Sequence, residues 1–228
     1  MSPGPLVDPA DVPGWLAGLV AATADLDASA LTRVRPPNGL PTRPASVLML
    51  LGDGDDGPDV LLTRRADTLN SHPGQVAFPG GGADDTDQGP VDTALREAEE
   101  EAGVLADGVR PVALLPDLFV PVSGFMVTPV LALWERPSPV RVVDPAETAA
   151  VARVPIAHLS DPANRFRVRH PSGFSGPAFA APGMLVWGFT AGLLDGLLRL
   201  AGWERPWNAA DVRDLDESLR AANAEVQA

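Results

Sequence analysis

The sequence predicts an α/β (α+β) fold, a mixed β-sheet with helices packed against it. Apolar runs of strand length are interspersed with segments of helical length, and several strand-like runs are joined by tight Gly-, Pro- and Asp-rich turns. A chain of 228 residues with 45% hydrophobic composition can bury one substantial core, and two full domains are not expected.

Residues 1–44, rich in Pro, Ala and Asp, are expected to form a peripheral amino-terminal extension with one short helix around Trp15 to Ala22. The apolar run Ala45 to Leu51 reads as a buried strand and Val60 to Arg64 as its neighbour. Gly52-Asp53-Gly54-Asp55-Asp56-Gly57 between them has the glycine spacing of a dinucleotide-binding turn. That reading fails, because three carboxylates repel a pyrophosphate and Pro58 leads into a strand where a helix N-terminus should stand. An acidic hairpin loop is the better reading.

A Gly-rich turn at Phe78 to Ala83 precedes a helix over Pro90 to Ala102, bounded by Pro at its first position and Gly103 just past its end. Strands are expected at Arg110 to Leu115, Phe125 to Trp134 and Thr148 to Val154, with shorter extended pieces around Phe166 to Arg169. A helix over Met184 to Leu200 and a last one near Asp211 to Ala222 complete the chain, which has no internal repeat. The expected division is an extension at 1–44, a main domain at 45–205 and a helical tail at 206–228.

A formal charge of −13 argues against general nucleic-acid binding, which needs a clustered basic surface. All 17 basic residues are Arg, which excludes a Schiff-base lysine and the Lys-dependent phosphate loop. With no Cys there is no disulfide framework, thiolate zinc site or Cys nucleophile. The start carries acids and prolines where a secretory peptide carries positive charge, and the longest apolar candidate, Ala191 to Trp203, is interrupted by Asp195 and Arg199. These features lead to the expectation of a soluble, cytoplasmic protein with no membrane partner.

Ala94-Leu95-Arg96-Glu97-Ala98-Glu99-Glu100-Glu101-Ala102-Gly103-Val104 holds the strongest chemical signal. At helical spacing Val91, Leu95, Ala98 and Ala102 form an apolar stripe, while Glu97, Glu100 and Glu101 share the other side. Such a face is either solvated or binds a cation. Against solvation stand the mutual repulsion of carboxylates three and four residues apart and the negative end of the helix dipole, which Arg96 offsets only in part. Oxygen-only ligands favour Mg²⁺ or Mn²⁺. Gly80, Gly81 and Gly82 allow close backbone approach to a metal or a phosphate.

From Gly81 to Val104 the chain resembles the Nudix box: a Gly, a downstream acid, Arg-Glu, two further Glu, then Gly and an apolar residue. The resemblance implies a mixed sheet sandwiched between helices and hydrolysis of a diphosphate. It implies Glu97, Glu100 and Glu101 as metal ligands, the carbonyl of Gly80 as a further one, and Arg96 orienting the glutamates. The usual spacing puts Gln88 where the family carries its first Glu; with one residue inserted, Asp87 takes that place.

Upstream, Leu61-Leu62-Thr63-Arg64-Arg65 and His72-Pro73-Gly74-Gln75, before Phe78-Pro79-Gly80-Gly81, resemble the segment that sets coenzyme A pyrophosphatases apart among Nudix hydrolases; Ala66 replaces the usual Ser. Pro121 to Phe125 resembles the family's loop after the box, and Val186 to Gly192 its late helix. This implies Arg65, His72, Gly74 and Gln75 as substrate-binding residues and coenzyme A, or its thioesters, as the substrate. Arg65 offers a planar charged donor array, with Gln75 and His72 as further donors. The 3′-phosphate of coenzyme A needs a cationic recess, and Arg64 and Arg65 are the nearest basic pair, with His72 as an added donor.

The expected chemistry is in-line attack of water on a diphosphate, with Glu97 or Glu147 as general base. Another nucleoside diphosphate derivative is the alternative substrate, and a catalytically silent nucleotide-binding regulator the alternative role. A homodimer is compatible with either. His158 and His170 are read as structural, and the Trp residues as packing.

Overall fold

A computed structural model of the chain describes residues 2–32, 34–36, 41–69 and 72–226. Residues 70–71 of the upstream motif, and 1, 33, 37–40 and 227–228 of the expected extension and tail, lie outside the described residues.

In chain order the first half forms β1 (Gly4–Pro5), α1 (Gly14–Ala22), β2 (Arg43–Gly54), β3 (Gly57–Arg65), β4 (Val76–Ala77), β5 (Gly80–Gly82) and α2 (Pro90–Ala102). It continues with β6 (Val109–Leu114), β7 (Leu118–Val120), β8 (Phe125–Trp134), β9 (Thr148–Pro155), α3 (Ile156–Ser160), β10 (Arg165–Arg169) and β11 (Ser175–Ala181). The last elements are β12 (Met184–Val186), α4 (Gly188–Leu200), β13 (Val212–Asp214) and α5 (Leu215–Val226).

The main sheet runs β1-β6-β8-β2-β3-β4, with β5 on β2, β7 on β8 and β9 on β3. It is mixed, because β2 pairs parallel with β8 from Arg43↔Phe125 to Leu51↔Leu133 and antiparallel with β3 and β5. Side chains alternate across it. Leu48, Leu50 and Leu61 on one face pack against Ala94, Ala98 and Ala102 of α2. Met49, Leu51 and Leu62 on the other face join a core with Leu16 and Leu19 of α1 and Leu194 and Leu197 of α4. The sheet is thus sandwiched between helices, as the sequence led us to expect.

The acidic loop is a hairpin: β2 and β3 pair through Gly54↔Gly57 around Asp55 and Asp56, with Gly57 at φ 90°. Helix α2 ends as predicted, with Gly103 at φ 71° donating its N–H to Glu99 at 2.9 Å.

Several expectations are corrected. Residues of 1–44 are not all peripheral: β1 pairs with β6, and Leu16 and Val20 are fully buried. Met184 to Val186 is a strand, β12, and α4 starts only at Gly188, whose φ of 67° breaks the extended run. The last helix starts at Leu215, because Val212 to Asp214 pairs in parallel with β10. A second sheet, β12-β11-β10-β13, was not foreseen. It is tied to α4 by the buried Arg165, which binds Asp195 at 2.7 Å and Glu204 at 3.2 Å and stands 4.6 Å from the Trp207 ring centre. Among the described residues, no helix is long and apolar enough to cross a membrane.

Candidate active site

The site lies where β2 changes partners. Near its carboxyl end β2 pairs with β3, whereas Ala45 to Val47 pair with the glycine strand β5. This brings Gly80 to Gly82 alongside α2. Glycine is required at position 80, where a Cβ would stand 2.3 Å from the carbonyl oxygen of Ser46; a Cβ on Gly81 would stand 2.5 Å from Oε1 of Glu97 and push that carboxylate aside.

Arg96 is the hub. Its Nε and Nη2 donate to the two carboxylate oxygens of Asp87 at 3.1 and 3.0 Å, and Nη2 also donates to the carbonyl of Gly82 at 3.0 Å. Nη1 donates to Glu97 at 3.0 Å and to Glu100 at 3.1 Å. The guanidinium holds the Asp87 carboxyl far below the usual carboxylate range, with the Asp84 backbone and Thr93 also contributing. Of the two residues that could stand at the family's first acid, Asp87 meets Arg96, while Gln88 turns its backbone N–H to Asp92.

The three glutamates are not equivalent. Glu100 is half exposed, drawn outward by Arg96, whereas Glu97 is largely covered. Glu101 is 9% exposed and accepts only long hydrogen bonds, 3.4 Å from the Gly80 N–H and 3.4 Å from the Thr63 hydroxyl. Burial, followed by the charge of Glu97, pushes the Glu101 carboxyl up to about 7; the Gly80 N–H, the Arg65 charge and Thr63 act against this. Burial raises Glu97 as well, opposed by Arg96 and reinforced by the charges of Glu100 and Glu147. The result is a covered carboxylate pair, Glu97 and Glu101, with too little positive charge nearby.

A hard divalent cation fits this donor set, since it is all oxygen and Arg96 and Arg65 offset its charge only in part. Among the described residues no three His, Asp or Glu side chains converge into a ready cage. Glu97 and Glu101 are the pair that could hold a cation, and Glu100 would have to leave Arg96 to join them.

The pair makes a testable statement about pH. For protein stripped of divalent ions, the folded pKa of Glu101 near 7 lies above its ordinary 4.5. The stabilising contribution of the protonated form is then fully present below about 4.5 and lost as pH rises through about 7. The melting temperature should fall over that window, and Glu101→Gln should remove this part of the fall. Identical pH profiles for the two proteins would contradict the assignment.

On the β3 side, Leu61, Thr63 and Arg65 alternate toward α2, which brings Thr63 onto Glu101. Thr63 was quoted in the sequence motif without a role; its period-2 relation to the buried Leu61 was the available signal. The backbone N–H of Arg65 donates to the Gln75 carbonyl at 2.9 Å, and its buried Nε has no protein partner. Glu147 is fixed beside this strand by the bond from the Ala66 N–H to its carbonyl, 2.8 Å. Arg64 turns away: its Nη2 donates to Asp67 at 2.7 Å and to Asn223 of α5 at 3.4 Å.

From His72 to Gln75 the chain turns, with the Gln75 N–H donating to the His72 carbonyl at 3.3 Å. His72 has a φ of 55°, uncommon outside glycine, and its Nδ1 lies 2.9 Å from the Gln75 side-chain oxygen. Gly74, at φ 66°, passes so close to Asp67 that a Cβ there would stand 2.7 Å from the carboxylate. The other histidines are structural: His158 meets the Ala180 carbonyl at 3.0 Å and His170 the Ser172 hydroxyl at 2.6 Å.

Residues 41–172, more than half of the chain, match the NUDIX domain family. A protein of Escherichia coli K12 described as an uncharacterized Nudix hydrolase, NudL, is 38% identical over 144 residues, covering 60% of this chain and 72% of that protein. The NudL proteins of Pectobacterium atrosepticum and Cronobacter sakazakii are 54% and 45% identical over 76 and 100 residues. Those two matches span 33% and 44% of this chain but only 39% and 51% of the relatives' own lengths. A solved structure described as a Nudix hydrolase from M. smegmatis, RenU, aligns at a TM-score of 0.48 with 20% identity, covering 73% of this chain and 89% of that one. The glycine strand, Arg96 and the glutamate helix all fall inside the matched segment, and this chain belongs to the Nudix hydrolase family.

Proposed function

We propose that the chain hydrolyses a diphosphate linkage with the help of Mg²⁺ or Mn²⁺, and that its substrate is coenzyme A or a coenzyme A thioester, cut to 3′,5′-ADP and 4′-phosphopantetheine or its acyl form. The observation that carries the hydrolytic reading is the covered Glu97–Glu101 pair with insufficient positive charge beside the glycine strand. The substrate class rests on the segment Leu61 to Gly81 and its resemblance to coenzyme A pyrophosphatases.

In this reading Glu97 and Glu101 hold the ion, with the Gly80 carbonyl and Glu100 as further ligands. Bound there, a divalent ion supplies Lewis-acid polarisation of phosphoryl oxygens and a more acidic water. Arg96 pairs with Glu97 and Glu100 and aligns them while Asp87 fixes Arg96 in turn. Arg65, with its buried Nε lacking a protein partner, donates to the substrate diphosphate, and Gln75 and His72 add donors from the loop. Water attacks in line and gives up its proton to a carboxylate. Glu97 is the first candidate for this base, and Glu147, whose charge reaches Glu97, is the second.

The test is a set of specificity constants under one buffer for coenzyme A, its thioesters, ADP-ribose, NADH and 8-oxo-dGTP, with products identified by mass. Coenzyme A or a thioester should be preferred. A preference of about tenfold or more for another compound would remove the substrate assignment and leave the diphosphate chemistry standing.

A further inference from the structure

A cationic platform stands across the glycine strand from the glutamates. Gly81 faces Glu97, whereas a Cβ on the next residue, Gly82, would point at the Phe125 ring at 3.7 Å. Phe125 is the parallel cross-strand partner of Arg43, and the Arg43 guanidinium lies 4.3 Å from the centre of its ring. Arg43 also donates from Nη2 to the Ser123 carbonyl at 3.0 Å, which fixes the guanidinium beside the ring and leaves its other N–H groups available. The platform is joined to the site through the backbone: the Ala83 N–H donates to the Pro44 carbonyl at 3.0 Å, and the Gly82 carbonyl accepts from Arg96.

Two arginines near the site are in no ion pair among the described residues: Arg65, whose charge acts on the buried Glu101 and which is assigned above to the diphosphate, and the exposed Arg43. Arg96 is taken up by Asp87, Glu97 and Glu100, and Arg64 by Asp67. Arg64 is thus already occupied and is a poor choice for the recess that a further phosphate needs. Among the described residues Arg43 is in no ion pair with a carboxylate, on a chain of net charge −13. An exposed, aromatic-stacked guanidinium with spare donors suits a phosphomonoester better than a base edge, because its planar fork matches two phosphate oxygens.

We infer that Arg43, held on Phe125, is the subsite for a phosphomonoester that the substrate carries beside its diphosphate, which for a coenzyme A substrate is the 3′-phosphate. This rests on the proposed placement of the diphosphate at Glu97 and Glu101. Arg43 would touch substrate away from the reacting phosphorus and set specificity without taking part in the bond cleavage.

Calorimetric titration of the full chain with adenosine 3′,5′-bisphosphate and with adenosine 5′-monophosphate tests the subsite without turnover. The bisphosphate should bind about tenfold more tightly to the parent protein. Arg43→Ala should erase that preference, with monophosphate affinity kept within about twofold and the melting temperature unchanged; Arg43→Lys should retain part of it. In turnover, Arg43→Ala should lower kcat/KM about tenfold for coenzyme A and hardly at all for dephospho-coenzyme A. A parent protein without the preference, a preference surviving in Arg43→Ala, or equal losses on both ligands would each overturn the inference. Failure of the parent to cleave either coenzyme A or dephospho-coenzyme A would instead remove the proposed function, and the binding comparison would still decide the subsite.

Discussion

Glu101→Gln is expected to lower kcat by about 10²–10³-fold while the folded protein becomes no less stable. The substitution keeps the shape and the capacity to accept from Gly80 and Thr63, and removes only the charge. That charge is costly to the protein without a cation, since burial and Glu97 drive the carboxyl up to about 7. A residue that burdens the fold in this way and also proves indispensable to turnover is placed for function. The comparison is kcat at saturating Mg²⁺ together with the melting temperature. A variant close to parental rate would remove Glu101 from the site, and one that fails to fold would show the carboxylate to be structural.

Exhaustive chelation is expected to abolish activity, and Mg²⁺ or Mn²⁺ to restore it, with Zn²⁺ the poorer activator. The proposed donors at Glu97, Glu100, Glu101 and Gly80 are hard oxygens, and the chain has no Cys. The loss should be larger than for any single substitution, because removing the ion leaves the facing carboxylates to repel the substrate's phosphates as well as each other. Rates before and after chelation, with elemental analysis of the stripped protein, decide this. Full activity in metal-free protein would refute the mechanism.

What could be read from the sequence follows from where local rules are strong. Helix α2 was legible at both ends, because Pro90 and Gly103 are unambiguous stops and the 3.6-residue period separates Ala98 and Ala102 from the acids. Strands β2, β3, β6, β8 and β9 were legible from their apolar runs, whereas Gly80 to Gly82, read as part of a turn, forms β5 only through its pairing with Ala45 to Val47. The helix expected from Met184 failed because Met-Leu-Val is equally apolar as a strand, and only pairing with Phe179 to Ala181 made it one. The Val212 to Asp214 strand depends likewise on a partner, β10, more than forty residues away.

At the site, residue identity was legible and division of labour was not. Periodicity put Glu97, Glu100 and Glu101 on one side of a helix, but the depth of each depends on what packs above it. The glycine strand covers Glu101, and Arg96 pulls Glu100 out toward solvent. Asp87 prevailed over Gln88 because a bidentate guanidinium contact rewards a carboxylate. The Arg43–Phe125 pair joins residues 82 positions apart, and only their register in the parallel β2–β8 pair brings them together.

The claim on which the account turns is that Glu97 and Glu101 together hold a divalent ion. Titration of Mn²⁺ into the chelator-treated protein, followed by the electron-paramagnetic signal of the free ion, measures this without substrate. The parent should bind Mn²⁺ saturably, Glu97→Gln and Glu101→Gln should each weaken that binding about tenfold or more, and Glu99→Gln, on the exposed side of α2, should leave it unchanged. Equal Mn²⁺ affinity in all four proteins would contradict the account.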